Sequence, residues 1–316
     1  MDVGVGLPNA VPGTGGRLIV EWARRADRGP FASVGLLDRV RYDSFDPFPV
    51  LGSAAAVTER VRLVTMVVIA PIRGTATLAK QAASVHALSA GRLTLGLAIG
   101  ARHEDYHAVG MDPRGRGRRF SEQLAEIRDL WEAGRVGPVT GDGADAAPEL
   151  LVGGWLGTAM ARVARFADGY VHGGGPPRAF QRAASQALAA WAAMGRPGRP
   201  RLYGQAYFAL GDEAAGAGAD YLRDYYAFTG PFAEKVAAGN LTSARAIRDF
   251  LRGYEDAGCD HLVLLPTVSD PAQVDRLADV LGCGGGPGGP RPRGAKQSAS
   301  GRCVPPGRSE PPQATR

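Results

Sequence analysis

The sequence predicts a (β/α)8 barrel, in which parallel strands close on themselves and each is followed by a helix. Three observations carry that expectation. Strand-like and helix-like segments alternate about eight times over roughly 280 residues, the count and length of such a barrel. The stretch from Val61 to Ile99 reads as apolar strand, crossover helix, apolar strand, the unit that joins parallel neighbours. Its strands are continuous apolar runs, as suits a sheet buried on both faces. With 316 residues, 45% of them hydrophobic, the chain has ample material for one large core.

Taken in order, Val3 to Leu7 is the first strand. Arg17 to Arg28 is a helix with Leu18, Val20, Trp22 and Ala26 available for packing. Ser33 to Asp38 and Val61 to Ile69 are the next two strands, with a helix over Pro47 to Thr58 between them. Leu78, Ala82, Val85 and Leu88 recur at helical spacing before the strand Leu93 to Ile99. Phe120, Leu124, Ile127, Leu130 and Trp131 mark a further amphipathic helix, closed by Gly134.

The second half repeats the alternation. Glu149 to Gly153, Gly169 to His172, Leu202 to Leu210 and His261 to Leu265 are strands. Helices cover Thr158 to Ala167, Arg178 to Met194, Glu213 to Phe228 and Thr242 to Ala257. Asp270-Pro271 supplies an N-cap and a first-turn proline for a last helix ending at Leu281. The barrel domain is therefore expected over 1–283. From Gly284 the chain has eight glycines and seven prolines in 33 residues and no apolar period, which predicts a disordered tail over 284–316.

Composition excludes several classes of function. The net charge of +6 is concentrated in that tail, which holds Arg291, Arg293, Lys296, Arg302, Arg308 and Arg316 against Glu310. The body is nearly neutral, so no basic face argues for nucleic acid. The three cysteines, Cys259, Cys283 and Cys303, form neither a disulfide framework nor a zinc cluster. No apolar run approaches the ~20 residues of a membrane span. No secretory leader is visible, and a reducing cytoplasm is the expected setting.

Chemistry in a parallel barrel belongs at the carboxyl ends of the strands, and Gly100-Ala101-Arg102-His103-Glu104-Asp105-Tyr106 lies at one of them. The runs Leu78-Ala79-Lys80-Gln81, Leu88-Ser89-Ala90-Gly91-Arg92-Leu93 and Leu95-Gly96-Leu97-Ala98-Ile99-Gly100 resemble the bacterial luciferase-like monooxygenases. Glu104-Asp105-Tyr106 with Val109-Gly110, Val152-Gly153-Gly154, Ala167-Asp168-Gly169 and Ala257-Gly258-Cys259-Asp260-His261-Leu262 extend the likeness over about 1–282, in family order.

The resemblance implies an oxidoreductase or monooxygenase that acts on a small organic substrate with reduced FMN or the deazaflavin coenzyme F-420, and it allows a homodimer. By the same resemblance Asp38 contacts the ring system or its side chain, and Pro71 lies near the ring. Ile99, Gly100 and Ala101 border it. Gly153, Gly154, Gly157 and Thr158 form the phosphate-binding turn. That turn has a physical basis of its own, since glycines admit close backbone approach and a helix start favours an anion. One departure stands out. Where many members carry a histidine after the acidic residue that ends the second strand, this chain has Arg39. A guanidinium stays protonated, so it is no ordinary proton shuttle, although it can hold an anion or steady charge on a reduced ring.

Two further constellations carry alternatives. His103-Glu104-Asp105-Tyr106-His107 spells the H-E-x-x-H signature of a zinc hydrolase, with Glu122 or Glu126 as a third ligand. Gly110 and Pro113 end any helix too soon after His107 for that role, so a loop facing cofactor or substrate is preferred and no metal is expected. His172, before Gly173-Gly174-Gly175, sits at an active-face position and is a candidate for substrate contact. The catalytic candidates are thus Arg39, His103, Glu104 and His172. Loss of the histidine at position 39 also keeps a non-catalytic barrel in view.

Overall fold

Alternation along the strands sorts the apolar side chains into two cores. The computed structural model describes residues 1–136, 147–155 and 157–282. Its strands are β1 (Asp2–Gly6), β2 (Ser33–Leu36), β3 (Arg62–Thr65), β4 (Val68–Ile69), β5 (Leu93–Ala98), β6 (Glu149–Gly153), β7 (Gly169–Val171), β8 (Arg201–Phe208) and β9 (His261–Pro266). Leu63, Leu95, Leu97, Val152, Tyr170 and Leu262 face outward and meet the helices. Val64, Leu151, Val171, Tyr203, Tyr207 and Val263 point inward and fill the barrel.

Every pairing is parallel, and β1 bonds to both β2 and β9, which closes the ring. The expected barrel is therefore the fold. The helices are α1 (Gly16–Arg28), α2 (Pro47–Ala55), α3 (Thr75–Leu88), α4 (His103–Ala108), α5 (Arg116–Glu132), α6 (Gly157–Phe166), α7 (Pro177–Ala193), α8 (Asp212–Tyr225), α9 (Phe232–Ala238), α10 (Ala244–Asp256) and α11 (Ala272–Gly282). Local capping explains several starts. Asp46 accepts from the Phe48 N–H ahead of α2, Ser243 caps α10, and Asp270 accepts from the Ala272 N–H before α11. No helix among the described residues is long and apolar enough to cross a membrane.

The structure corrects three element assignments. The run Val61 to Ile69 is not one strand but two, β3 and β4, separated by a cis peptide between Met66 and Val67. Both pieces pair with β5, so together they act as one of the eight staves. At the break the Thr65 hydroxyl replaces the missing ladder, donating to the Gly96 carbonyl at 2.8 Å and accepting from its N–H at 2.7 Å. A Cβ at Gly96 would lie 2.3 Å from the Thr65 carbonyl oxygen, which is why glycine stands there. Residues 103–108, read as a loop, form the short helix α4. The helix over Glu213 to Phe228 ends at Tyr225, and the connection from β8 to β9 continues through a 3-10 turn at Ala227–Thr229 and α9. The expected tail over 284–316, with Cys283 and Cys303, lies outside the described residues.

The amino end of the barrel is stopped by polar side chains. Arg62 donates to Thr94 and Glu149, Tyr203 donates to Glu149, and His261 stacks on Tyr203 while bonding Ser33. Ligand access is thereby left to the opposite, carboxyl end.

Candidate active site

The carboxyl rim has two halves of different character. Over β2, β8 and β9 it is filled by aromatic side chains. Tyr207 points up from β8 and shares a 2.9 Å hydroxyl contact with Tyr226, while Tyr42, Tyr221 and Tyr225 pack beside them. Over β5 and β6 the last inward positions are small. Ala98 and Gly153 form a shallow floor bordered by Val171 of β7, since a Cβ on Gly153 would meet Val171 Cγ1 at 3.3 Å and Ala98 Cβ at 3.5 Å. Ala101, Gly157, Thr158 and Gly173 are exposed around that floor, and Ile99 and Gly100 are half-buried.

Gly100 and Gly154 hold conformations that side-chain-bearing residues resist. Gly100 has φ of 69°, and a Cβ there would strike Ile69 at 2.8 Å. Gly154 has φ of 146°, and its Cβ would fall 2.6 Å from Ala159 Cβ. The chain thus leaves β6 through a position that only glycine occupies without strain. The first N–H groups of α6 have no earlier carbonyl to bond, which makes this end attractive to an anion.

The acidic and basic candidates are engaged with one another. Asp38 is buried and accepts from the Ile69 N–H at 2.9 Å and from Arg73 at 2.9 Å. Burial raises its pKa, against the Arg73 charge. Its carboxylate pins β4 to β2, and Pro71 is buried just beyond. Arg39, a catalytic candidate by sequence, donates from Nε to Asp105 at 3.0 Å and from Nη2 to Glu104 at 2.5 Å. Its guanidinium also lies over the Tyr42 and Tyr225 rings, at 4.9 and 5.3 Å. Asp105 in turn accepts from the Val40 and Arg41 N–H groups.

The two histidines of the H-E-x-x-H run, His103 and His107, are both exposed. Among the described residues no group of three or more His, Cys, Asp or Glu side chains is placed to hold a metal ion. His172, by contrast, is fully buried at the rim. Burial pushes its pKa down to about 4, and the main chain of Gly174 opposes this in lesser part.

Sequence reasoning overlooked the aromatic half. The sequence pattern places Tyr221, Tyr225 and Tyr226 only within the helix over Glu213 to Phe228, and Arg102 only in the polar run after the strand Leu93 to Ile99. The Arg102 guanidinium is stacked on Tyr225 and Phe228, 4.3 Å from each ring, and donates to the Tyr225 carbonyl at 2.8 Å. The crowding of four aromatics into 221–228 was the available signal. Trp155 was also missed.

With barrel and rim described, the class follows: residues 1–274 match the luciferase-like monooxygenase family, and the chain belongs to it. An uncharacterized protein of Mycobacterium tuberculosis is 35% identical over 147 residues, 43% of this chain and 51% of that protein. The match therefore spans about half the length of such curated relatives. The oxygenase component of a flavin-dependent trigonelline monooxygenase from Acinetobacter baylyi is 37% identical over 89 residues, 28% of this chain and 25% of that one. Among solved structures, an F420-dependent secondary alcohol dehydrogenase in complex with an F420–acetone adduct superposes with a TM-score of 0.74 at 16% identity. It covers 88% of this chain and 97% of its own. The FMN-bound oxygenating constituent of 3,6-diketocamphane monooxygenase from Pseudomonas putida gives 0.67 at 16% identity, over 89% and 96%. At these identities the likeness is one of fold.

Proposed function

We propose that this chain is a flavin- or deazaflavin-dependent oxidoreductase that works on a small organic substrate at the open half of its carboxyl rim. The observation that carries the reading is the bare floor of Ala98 and Gly153, running into the glycine turn before α6. A flat ring system needs such a floor, and its phosphate needs a helix start approachable by backbone alone. A relative named as flavin-dependent and structural neighbours whose names specify FMN or F420 support the same class.

In this reading Gly153, Gly154, Gly157 and Thr158 hold the phosphate, and Ile99, Gly100, Ala101 and Pro71 border the ring. Asp38 acts indirectly, by fixing the end of β4 through the Ile69 N–H. Arg39 and Glu104 belong to the wall, where their ion pair keeps α4 against β2. His103 stays exposed on α4. When bound and reduced, FMN supplies oxygen activation and the deazaflavin supplies hydride transfer. The chain's own part is to seat the ring and to exclude water with the Tyr207–Tyr226 side of the rim.

Titration of the full chain with FMN and with the deazaflavin, oxidised and reduced, followed by fluorescence, tests the assignment. Micromolar binding of either supports it and identifies the cofactor. Binding of neither, in a protein shown to be folded, sinks it.

A further inference from the structure

His172 follows β7 directly and has no exposed surface. Its neighbours decide where its proton sits. The Tyr170 hydroxyl has two polar contacts, the Gly154 carbonyl at 3.0 Å and His172 Nδ1 at 3.1 Å. A carbonyl oxygen only accepts, so the single hydroxyl proton goes to Gly154. The contact with His172 is then a hydrogen bond only if Nδ1 carries the imidazole proton and donates to the tyrosine oxygen. In a neutral ring that leaves Nε2 with a lone pair. Nε2 is buried and has no hydrogen-bond partner among the described residues. A buried acceptor with no donor is costly, and one at a barrel mouth calls for a ligand.

What lies over the ring is equally informative. Trp155 meets His172 edge to face, with ring centroids 4.6 Å apart and planes at 62°. Its other flank lies along Gly173, where a Cβ would stand 3.4 Å from Trp155 Cζ2. Yet 61% of this tryptophan is exposed, unusual for so large an apolar ring. Phe180, on α7, packs against the imidazole from the helix layer, with ring centroids 5.7 Å apart.

We propose that His172 Nε2 is the acceptor for an O–H or N–H group of a planar ligand at the barrel mouth, with Trp155 as its displaceable cover and Tyr170 as the residue that sets the tautomer. This deepens the oxidoreductase reading, on which it rests for the kind of ligand but not for the tautomer. The donor is either the ring N–H of the cofactor or the hydroxyl of an aromatic substrate, and the two sources are separable.

The test is long-range 15N NMR of the histidine rings in the full chain, with phenol, reduced FMN and reduced deazaflavin as probes. The free protein is expected to show a protonated Nδ1 and a bare Nε2, and Tyr170→Phe to mix the tautomers. A shift of Nε2 with a reduced cofactor alone assigns the donor to the cofactor ring, and a shift with phenol assigns it to substrate. His172→Leu should weaken whichever probe moves Nε2 by about tenfold, with His172→Gln recovering most of that loss. Trp155→Ala should raise diethylpyrocarbonate labelling of His172, read by mass spectrometry against exposed His103, by at least about tenfold. A proton found on Nε2 of the free protein, turned towards the Gly174 main chain, overturns the proposal. So does an Nε2 resonance indifferent to all three probes. Failure of both cofactors to bind the wild-type chain defeats the oxidoreductase reading separately, while the tautomer and phenol measurements still judge this one.

Discussion

Arg39 Nε and Asp105 Oδ2 stand 3.0 Å apart, and neither side chain keeps more than 2% of its surface in water. This pair joins the end of β2 to α4 across a gap of 66 residues in sequence. In the reading proposed here, a guanidinium so enclosed serves as part of the wall. Breaking one side of a buried pair strands the other charge, at a cost of about 3 to 5 kcal/mol. Asp105→Ala also orphans the Val40 and Arg41 N–H groups. Urea melts should therefore show a loss of that size for Asp105→Ala and for Arg39→Met. Wild-type stability in both variants would return Arg39 to the list of catalytic candidates.

Acid should weaken the fold through two histidines. His172 and His261 have folded pKa values lowered by burial from 6.5 to about 4. Between those values the unfolded chain binds more protons than the folded one. Their contribution is therefore complete above pH 6.5, declines as pH falls through the window, and changes no further below about 4. The urea midpoint should drop between pH 7 and pH 5, and His261→Gln should flatten that dependence. An equally steep profile in the variant would refute the assignment.

Gly154→Ala puts a methyl where only 2.6 Å separates it from Ala159 Cβ, in a left-handed conformation. The start of α6 must shift, and cofactor affinity should fall by about tenfold or more with circular dichroism unchanged. Gly216→Ala, in open space on α8, serves as the control. It should leave binding intact and stabilise the helix slightly. Undiminished affinity in Gly154→Ala would place the phosphate elsewhere.

Arg102 is sandwiched by Tyr225 and Phe228, and through them it ties the loop after β5 to the segment after α8. Arg102→Ala should lower stability by about 1 to 2 kcal/mol. Amide exchange should quicken at 226–230 while the barrel strands remain protected. Uniform protection across that segment would show that the clamp is unnecessary.

Much of the barrel was legible because its signals are local. Apolar runs such as Leu93 to Ala98, the Asp270 cap, and the glycine pair at 153–154 each announce themselves within a few residues. The break between β3 and β4 was invisible, since Met66 and Val67 are as apolar as their neighbours and only the Thr65 bridge to β5 reveals it.

For the rim, sequence determined which residues arrive at the carboxyl ends: Asp38, Arg39, Ile99 to Tyr106, Gly153, Gly154 and His172 all do, because strand ends fix their height. Only the tertiary structure decided whom they meet. Asp38 bonds Arg73 and the Ile69 N–H, Arg39 bonds Asp105, and His172 keeps its buried Nε2 without a hydrogen-bond partner among the described residues, as Arg102 does its Nε. Partner choice at a barrel mouth depends on strands far apart in the chain brought within about 3 Å, and no pattern along the sequence encodes a distance between them.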